Sequence, residues 1–190
     1  MVVMADKSVP TSDHIRDIIS FVEASPTSYH AVAELTRRLE QAGFQRLEET
    51  ESWPSVEGRR YVVRDGAVIA WITPEKVTPQ LGARIVGSHT DSPSFKLKPN
   101  ATVTNQGWQQ VGMEVYGGGL LNSWLDRDLG LSGRLVTCDG QAHLVRTGPI
   151  LRISQLAPHL DRTVNDDLKL DRQRHLMPIL SVGKPDRQNR

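Results

Sequence analysis

The stretch Ala83-Arg84-Ile85-Val86-Gly87-Ser88-His89-Thr90-Asp91-Ser92-Pro93 decides how the rest of the chain is read. Its first half is short and mostly apolar, which predicts a buried strand over 83–88. A histidine and an aspartate then follow at the strand's carboxyl end. Open α/β sheets place their sites just beyond such ends, where side chains from several strands reach one cleft. Neutral imidazole is a good zinc ligand, and a carboxylate two positions on can hold and orient it. His89 and Asp91 are therefore the candidate metal-site pair. The spacing His-x-Asp is also met in ordinary loops, where the imidazole is satisfied by a local hydrogen bond, and on these residues alone both readings stay open.

Upstream, two helices are expected. Ser12 or Asp13 could cap a first helix that carries Ile15, Ile18, Ile19 and Val22 on one face. Ser25-Pro26-Thr27 breaks it, because proline disfavours helix at the residue before it. A second helix carries Tyr29, Val32, Leu35 and Leu39, with Gly43 as its stop. Tyr61-Val62-Val63 and Ala67 to Trp71 flank Arg64-Asp65-Gly66, a strong hairpin signal because both turn positions tolerate positive φ. Thr73 to Gly82 reads as a loop.

Downstream, the run Gly117-Gly118-Gly119 fits neither phosphate-loop pattern and reads as a tight turn. Asp126 and Asp128 flank Arg127. They could form an acid/base pair, and they also suit a structural ion-pair cluster. A second hairpin is expected from Gly133 to Arg146 around Asp139-Gly140, with Cys138 as a turn residue. His159 sits in the apolar setting Leu156-Ala157-Pro158-His159-Leu160. The stretch Ser181 to Arg190 shows no core-like element. There is no His-Glu-x-x-His helix and no Gly-x-Ser-x-Gly elbow.

Composition narrows the class. A chain of 190 residues with 38% hydrophobic and 24% charged residues can bury a core. Its formal charge of +1 gives no global attraction to nucleic acid or to an anionic membrane, and neither is expected as a partner. One cysteine, Cys138, excludes an intrachain disulfide and a cysteine-cluster metal site. Met1 to Ala5 is too short for a signal-peptide core, and no stretch approaches the ~20 apolar residues of a membrane span. A cytoplasmic location is the expectation.

Taken in order, several stretches resemble the aspartyl aminopeptidase family of dinuclear zinc enzymes. They are Ser25 to Val32, Gly87 to Pro93, Val115 to Leu120, Trp124 to Leu129, Arg152 to Leu160 and His175 to Leu180. The resemblance covers about Ile15 to Leu180. It implies an α/β fold: an incomplete zinc-peptidase sheet domain with amino-terminal helices over residues 1–132, then part of an inserted β-rich dimerisation domain over 133–190. It implies that His89 is a zinc ligand, that Asp91 orients it and tunes catalysis, and that His159 helps bind substrate. Two zinc ions, peptide substrates with an acidic amino-terminal residue and a homo-oligomer built through the inserted segment are implied as well. Gln155 stands where the family pattern has a histidine. Family members are roughly twice this long, with the general base and the other zinc ligands in the later part. The tail after Leu180 does not resemble the family's continuation. The chain is thus expected to be a truncated aminopeptidase, inactive alone; the alternatives are a non-catalytic oligomerisation or interaction module, and a small hydrolase using His89, Glu114 and Asp126.

Overall fold

The computed structural model describes residues 11–53, 57–76, 78 and 82–183. The expectations for Met1–Ala5, part of the 73–82 loop and the last seven residues lie outside them. The chain divides into two compact units, one of residues 1–91 and 133–144, the other of 92–132 and 145–190. The mixed helix-and-sheet class expected from the sequence is what is found.

In the first unit, α1 spans Thr11–Ala24 and α2 spans Ser28–Gln41. Ser12 and Asp13 lie inside the first turn of α1 rather than capping it, and Asp13 pairs with Arg16 at 2.9 Å. α2 begins where proline chemistry predicts. Thr27 is its N-cap, with its hydroxyl oxygen accepting the His30 N–H at 3.3 Å. It ends in a Schellman motif. The Phe44 N–H donates to the Leu39 carbonyl and the Gly43 N–H to the Glu40 carbonyl, both at 2.9 Å, with Gly43 at φ +80°. The helices are joined through polar groups: Arg38 donates to the Asp17 carboxylate at 2.8 Å and lies over the Phe21 ring. The apolar stripe of α1 (Ile15, Ile18, Ile19, Val22) stays exposed.

Behind α2 lies a three-stranded sheet in the order β1–β2–β3. β1 is Gln45–Arg46, β2 Gly58–Arg64 and β3 Ala67–Thr73. β1 runs parallel to β2, and β2 pairs antiparallel with β3 from Gly58↔Thr73 to Arg64↔Ala67. The expected two-residue turn is present, and Asp65 takes a φ of 53°. Gly66 is needed there for space, since a Cβ on it would fall 2.6 Å from Ser28 Oγ. Ala31, Val32, Tyr61 and Val62 form the buried centre of this unit. The Tyr61 hydroxyl donates to Glu40 Oε1 at 2.7 Å. Arg134, from the later segment of the unit, pairs with Asp65 at 2.5 Å and stacks over Tyr29.

The strand expected over 83–88 does not form. Residues 82–89 run without ladder or helical hydrogen bonding, and Ile85 and Val86 are 89% and 96% exposed. Apolar, β-branched composition favours a strand only where a neighbour can take the backbone N–H and C=O groups. No described strand does so here.

The second unit is built on a five-stranded sheet in the order β4–β5–β10–β9–β6. β4 is Ser94–Asn105, β5 Trp108–Tyr116, β6 Asp128–Leu129, β9 Leu151–Arg152 and β10 Ile179–Val182. β4 and β5 form a long hairpin whose register shifts between Leu97 and Thr102. β10 reaches into the chain's last stretch: Ser181 and Val182 pair with Gln109 and Trp108 of β5 but stay exposed, so among the described residues that stretch adds nothing to the core. One face of this sheet packs Val111, Met113 and Leu151 against Phe95, Leu129 and Leu131. A second cluster holds Leu125, Ile153 and Leu176, with Trp124 and Phe95 rings 4.6 Å apart. The expected second hairpin is β7 (Ser132–Val136) with β8 (Ala142–Arg146), and it belongs mostly to the first unit. Its turn is closed by the Thr137 N–H on the Gln141 carbonyl, with Cys138 exposed.

Candidate metal centre

His89 and Asp91 are held by a short irregular segment at the end of the 82–89 run. The chain bends at Thr90, which brings the residues on either side of it together. His89 and Asp91 accordingly meet, with Nδ1 3.2 Å from Asp91 Oδ1. An ionised carboxylate only accepts, so in this contact Nδ1 is the donor, and a neutral ring would leave the Nε2 lone pair for a metal. The imidazole is 91% exposed. Thr90, between them, turns inward and donates its hydroxyl to the Gly66 carbonyl at 2.6 Å.

This pair has the right chemistry for zinc: a borderline-soft nitrogen donor and a carboxylate that raises its basicity. It is not a complete donor set. Among the described residues no group of three or more His, Cys, Asp or Glu side chains is placed to hold a metal ion. Catalytic zinc takes about three protein ligands and an open position, more than this pair supplies.

His159 lies in the second unit, in a turn where the Ala157 carbonyl accepts the Leu160 and Asp161 N–H groups at 2.8 and 3.0 Å. It is exposed despite its apolar neighbours, and Leu156 and Leu160 on either side are exposed too. Gln155 uses its backbone N–H to reach Asp126 Oδ1 at 3.4 Å.

The other acidic candidates are engaged structurally. Asp126 and Asp128 both face Arg152, at 3.6 and 3.2 Å, while Arg127 points to the Ser123 carbonyl. That is an ion-pair cluster, though Arg152 and not Arg127 is its cation. Glu114 pairs with Lys98 at 3.0 Å and accepts from Gln173, and these two contacts hold its carboxyl below the usual range. The glycine run is a close-packing turn. Gly117 has φ +75°, and a Cβ there would meet Pro93 at 3.3 Å. His30 contacts Thr27 Oγ1, and His175 Nδ1 accepts the Asp171 N–H, so both imidazoles serve local structure.

Comparison with known proteins shows what the chain as a whole is similar to. The family model described as aminopeptidase I zinc metalloprotease (M18) matches residues 21–190. The protein belongs to the M18 family. The match runs to Arg190, past Leu180, so the last residues also follow the family pattern. A probable M18 family aminopeptidase 2 of Streptomyces avermitilis is 55% identical over 172 residues, which are 90% of this chain and 40% of the relative. Among solved structures, the chain in the Ape4 and Nbr1 complex has a TM-score of 0.81 at 36% identity, covering 90% of this chain and 34% of that one. The Saccharomyces cerevisiae mApe1 dodecamer gives 0.70 at 32%, covering 77% and 36%. The chain spans about 40% of the length of the curated relatives it matches. Among the described residues no helix is long and apolar enough to cross a membrane.

Proposed function

We propose that this chain supplies the amino-terminal part of a dinuclear zinc aminopeptidase that removes acidic residues from the amino ends of peptides. The observation that carries the reading is the His89–Asp91 contact, set in the Gly87 to Pro93 motif of an M18 chain. Zinc in such enzymes polarises the scissile carbonyl and makes bound water nucleophilic near neutral pH. Of that machinery these residues supply one nitrogen donor, Nε2 of His89, and the carboxylate of Asp91 that fixes its tautomer. His159, on an exposed turn flanked by Leu156 and Leu160, is suited to reach substrate in a neighbouring subunit. Support for a homo-oligomer comes from the dodecameric yeast relative. The single cysteine and the absence of a long apolar helix among the described residues agree with a cytoplasmic setting.

The test is complementation. The chain is mixed with zinc and a separately produced carboxyl-terminal portion of a close M18 relative, and release of amino-terminal Asp or Glu is followed. Activity is expected only with both pieces, and is abolished by His89→Ala. Asp91→Asn keeps the shape and removes the charge; it is expected to lower zinc affinity or activity about 10- to 100-fold. Mixtures that stay inactive under all folding conditions, or activity indifferent to both substitutions, would overturn the reading.

A second reading is favoured by one observation: Ile15, Ile18, Ile19, Val22, Ile85 and Val86 are all exposed. Apolar surface of this kind marks association, and a non-catalytic interaction module would use it in the same way. Complementation separates the two, because a module gains no peptidase activity.

A further inference from the structure

The His89–Asp91 pair stands on a segment that secondary structure does not stiffen. Residues 82–89 carry no ladder or helical bonding, and Ile85 and Val86 are almost fully exposed. Something else must fix the direction of the pair. We propose that Thr90 is a positioning residue: its hydroxyl bond to the Gly66 carbonyl sets the orientation in which Asp91 meets His89.

Three observations carry this. The Thr90 Oγ1–Gly66 O distance of 2.6 Å is that of a short, well-formed hydroxyl–carbonyl bond, made by a half-buried side chain. The acceptor is itself held in place. Gly66 follows Asp65 in the β2–β3 turn, and its missing Cβ lets the turn sit against Ser28 in the first turn of α2. The geometry of the tripeptide then converts one anchor into two positions. Thr90 is the residue at which the chain bends, so fixing it fixes how its two neighbours face each other, with Nδ1 and Oδ1 within 3.2 Å. The anchor therefore runs from α2, through the hairpin turn and Thr90, to the tautomer of His89. Threonine suits the role because it is stiff at χ1 and keeps a hydroxyl donor.

The proposal deepens the zinc reading and rests on it, so its test includes a readout that needs no metal. The 190-residue chain is labelled with 15N-histidine, and the ring nitrogens of His89 are assigned by the loss of their signals in His89→Ala. In the metal-free wild-type chain the ring is expected to show one tautomer, protonated at Nδ1. Thr90→Val, close in shape but without the hydroxyl, is expected to shift the ring signals toward the averaged tautomer mixture of a free imidazole. Zinc affinity, where zinc binds, falls about tenfold. Thr90→Ser restores the wild-type pattern. Gly66→Ala, which pushes the acceptor turn off Ser28 with Thr90 intact, is expected to produce the Thr90→Val spectrum, and it serves as the probe where Thr90→Val does not fold. Preserved core signals of Val32 and Val62 identify folded variants. Ring signals unchanged in either folded variant would overturn the proposal. A chain that binds no zinc under complementation yet shows the Thr90-dependent tautomer would overturn the zinc reading and leave the anchor standing.

Discussion

Glu34 shows how much one residue can organise. Its carboxylate accepts from Arg37 and Arg38 at 2.6 Å each, and Arg38 reaches on to Asp17 of α1. The bonds from Arg37 and then Arg38 pull the Glu34 carboxyl down to about 2 from an ordinary 4.5. A depressed folded-state value stabilises the fold above the unfolded value and is lost as pH falls through the folded one. Stability from Glu34 is thus present above pH 4.5 and fades between there and pH 2. In urea titrations, Glu34→Gln is expected to be less stable than wild type at pH 6, with the gap closing as pH falls below 4.5. A gap of constant size across that range would show that packing, not charge, is at issue. Tyr61 has the opposite sign. Burial, then its bond to Glu40, raises the phenol to about 12. Its contribution is present below pH 10 and lost as pH rises from 10 to 12, an alkaline loss that Tyr61→Phe is expected to remove.

Among the elements, α2 was legible end to end. Ser-Pro-Thr before it and Gly43 after it are local signals with local causes, a proline-restricted entry and a left-handed exit. Gly43 has no atom closer than 4.0 Å to a Cβ built on it, so only its backbone angle resists substitution. Gly43→Ala is expected to cost about 1 kcal/mol by chemical denaturation, and Gly43→Asn less, since asparagine tolerates that conformation. The β2–β3 hairpin was legible for a similar reason, a two-residue turn between apolar runs. The β4–β5 hairpin was not. Ser94 to Thr104 alternates polar and apolar residues, but Pro99 in its middle has no N–H to give a ladder and argues against a strand, and the register shift between Leu97 and Thr102 accommodates it. The 83–88 stretch failed in the opposite direction. It has the composition of a strand, but a strand is a pairing, and its partner is not read from its own residues. The site shared this limit. His89 and Asp91 are two residues apart and were readable as a pair. Thr90's acceptor lies 24 residues away in sequence, and no local pattern points to it.

For the whole molecule, the distribution of apolar surface governs behaviour in solution. α1 leaves its stripe uncovered, and Ile69, Ile72, Ile85 and Val86 are exposed in the same unit. Exposed apolar patches drive association. The chain is expected to self-associate with rising concentration in sedimentation velocity, and Ile18→Glu combined with Ile85→Glu to reduce that association without loss of helix signal. A monodisperse monomer up to high concentration would contradict this account. Zinc content belongs to the same scale. With one imidazole donor and one orienting carboxylate brought together, the dialysed chain is expected to retain far less than one zinc per chain by metal analysis. Tight stoichiometric zinc lost on His89→Ala would contradict this account and show that further ligands complete the site. For the same reason no hydrolysis of Asp- or Glu-led peptides is expected from the chain by itself.

The first unit closes around Arg134, which grips Asp65 and lies over the Tyr29 ring from a segment that follows residue 132. Chains emerge from the ribosome at about 5–20 residues per second. The β2–β3 hairpin and α2 therefore wait several seconds before their last piece is made. During that interval Asp65 lacks its cation and Tyr29 lacks its cover. Slowing translation between residues 91 and 144 lengthens that exposure, so the yield of folded protein in cells becomes sensitive to codon choice within a stretch that itself belongs mostly to the other unit.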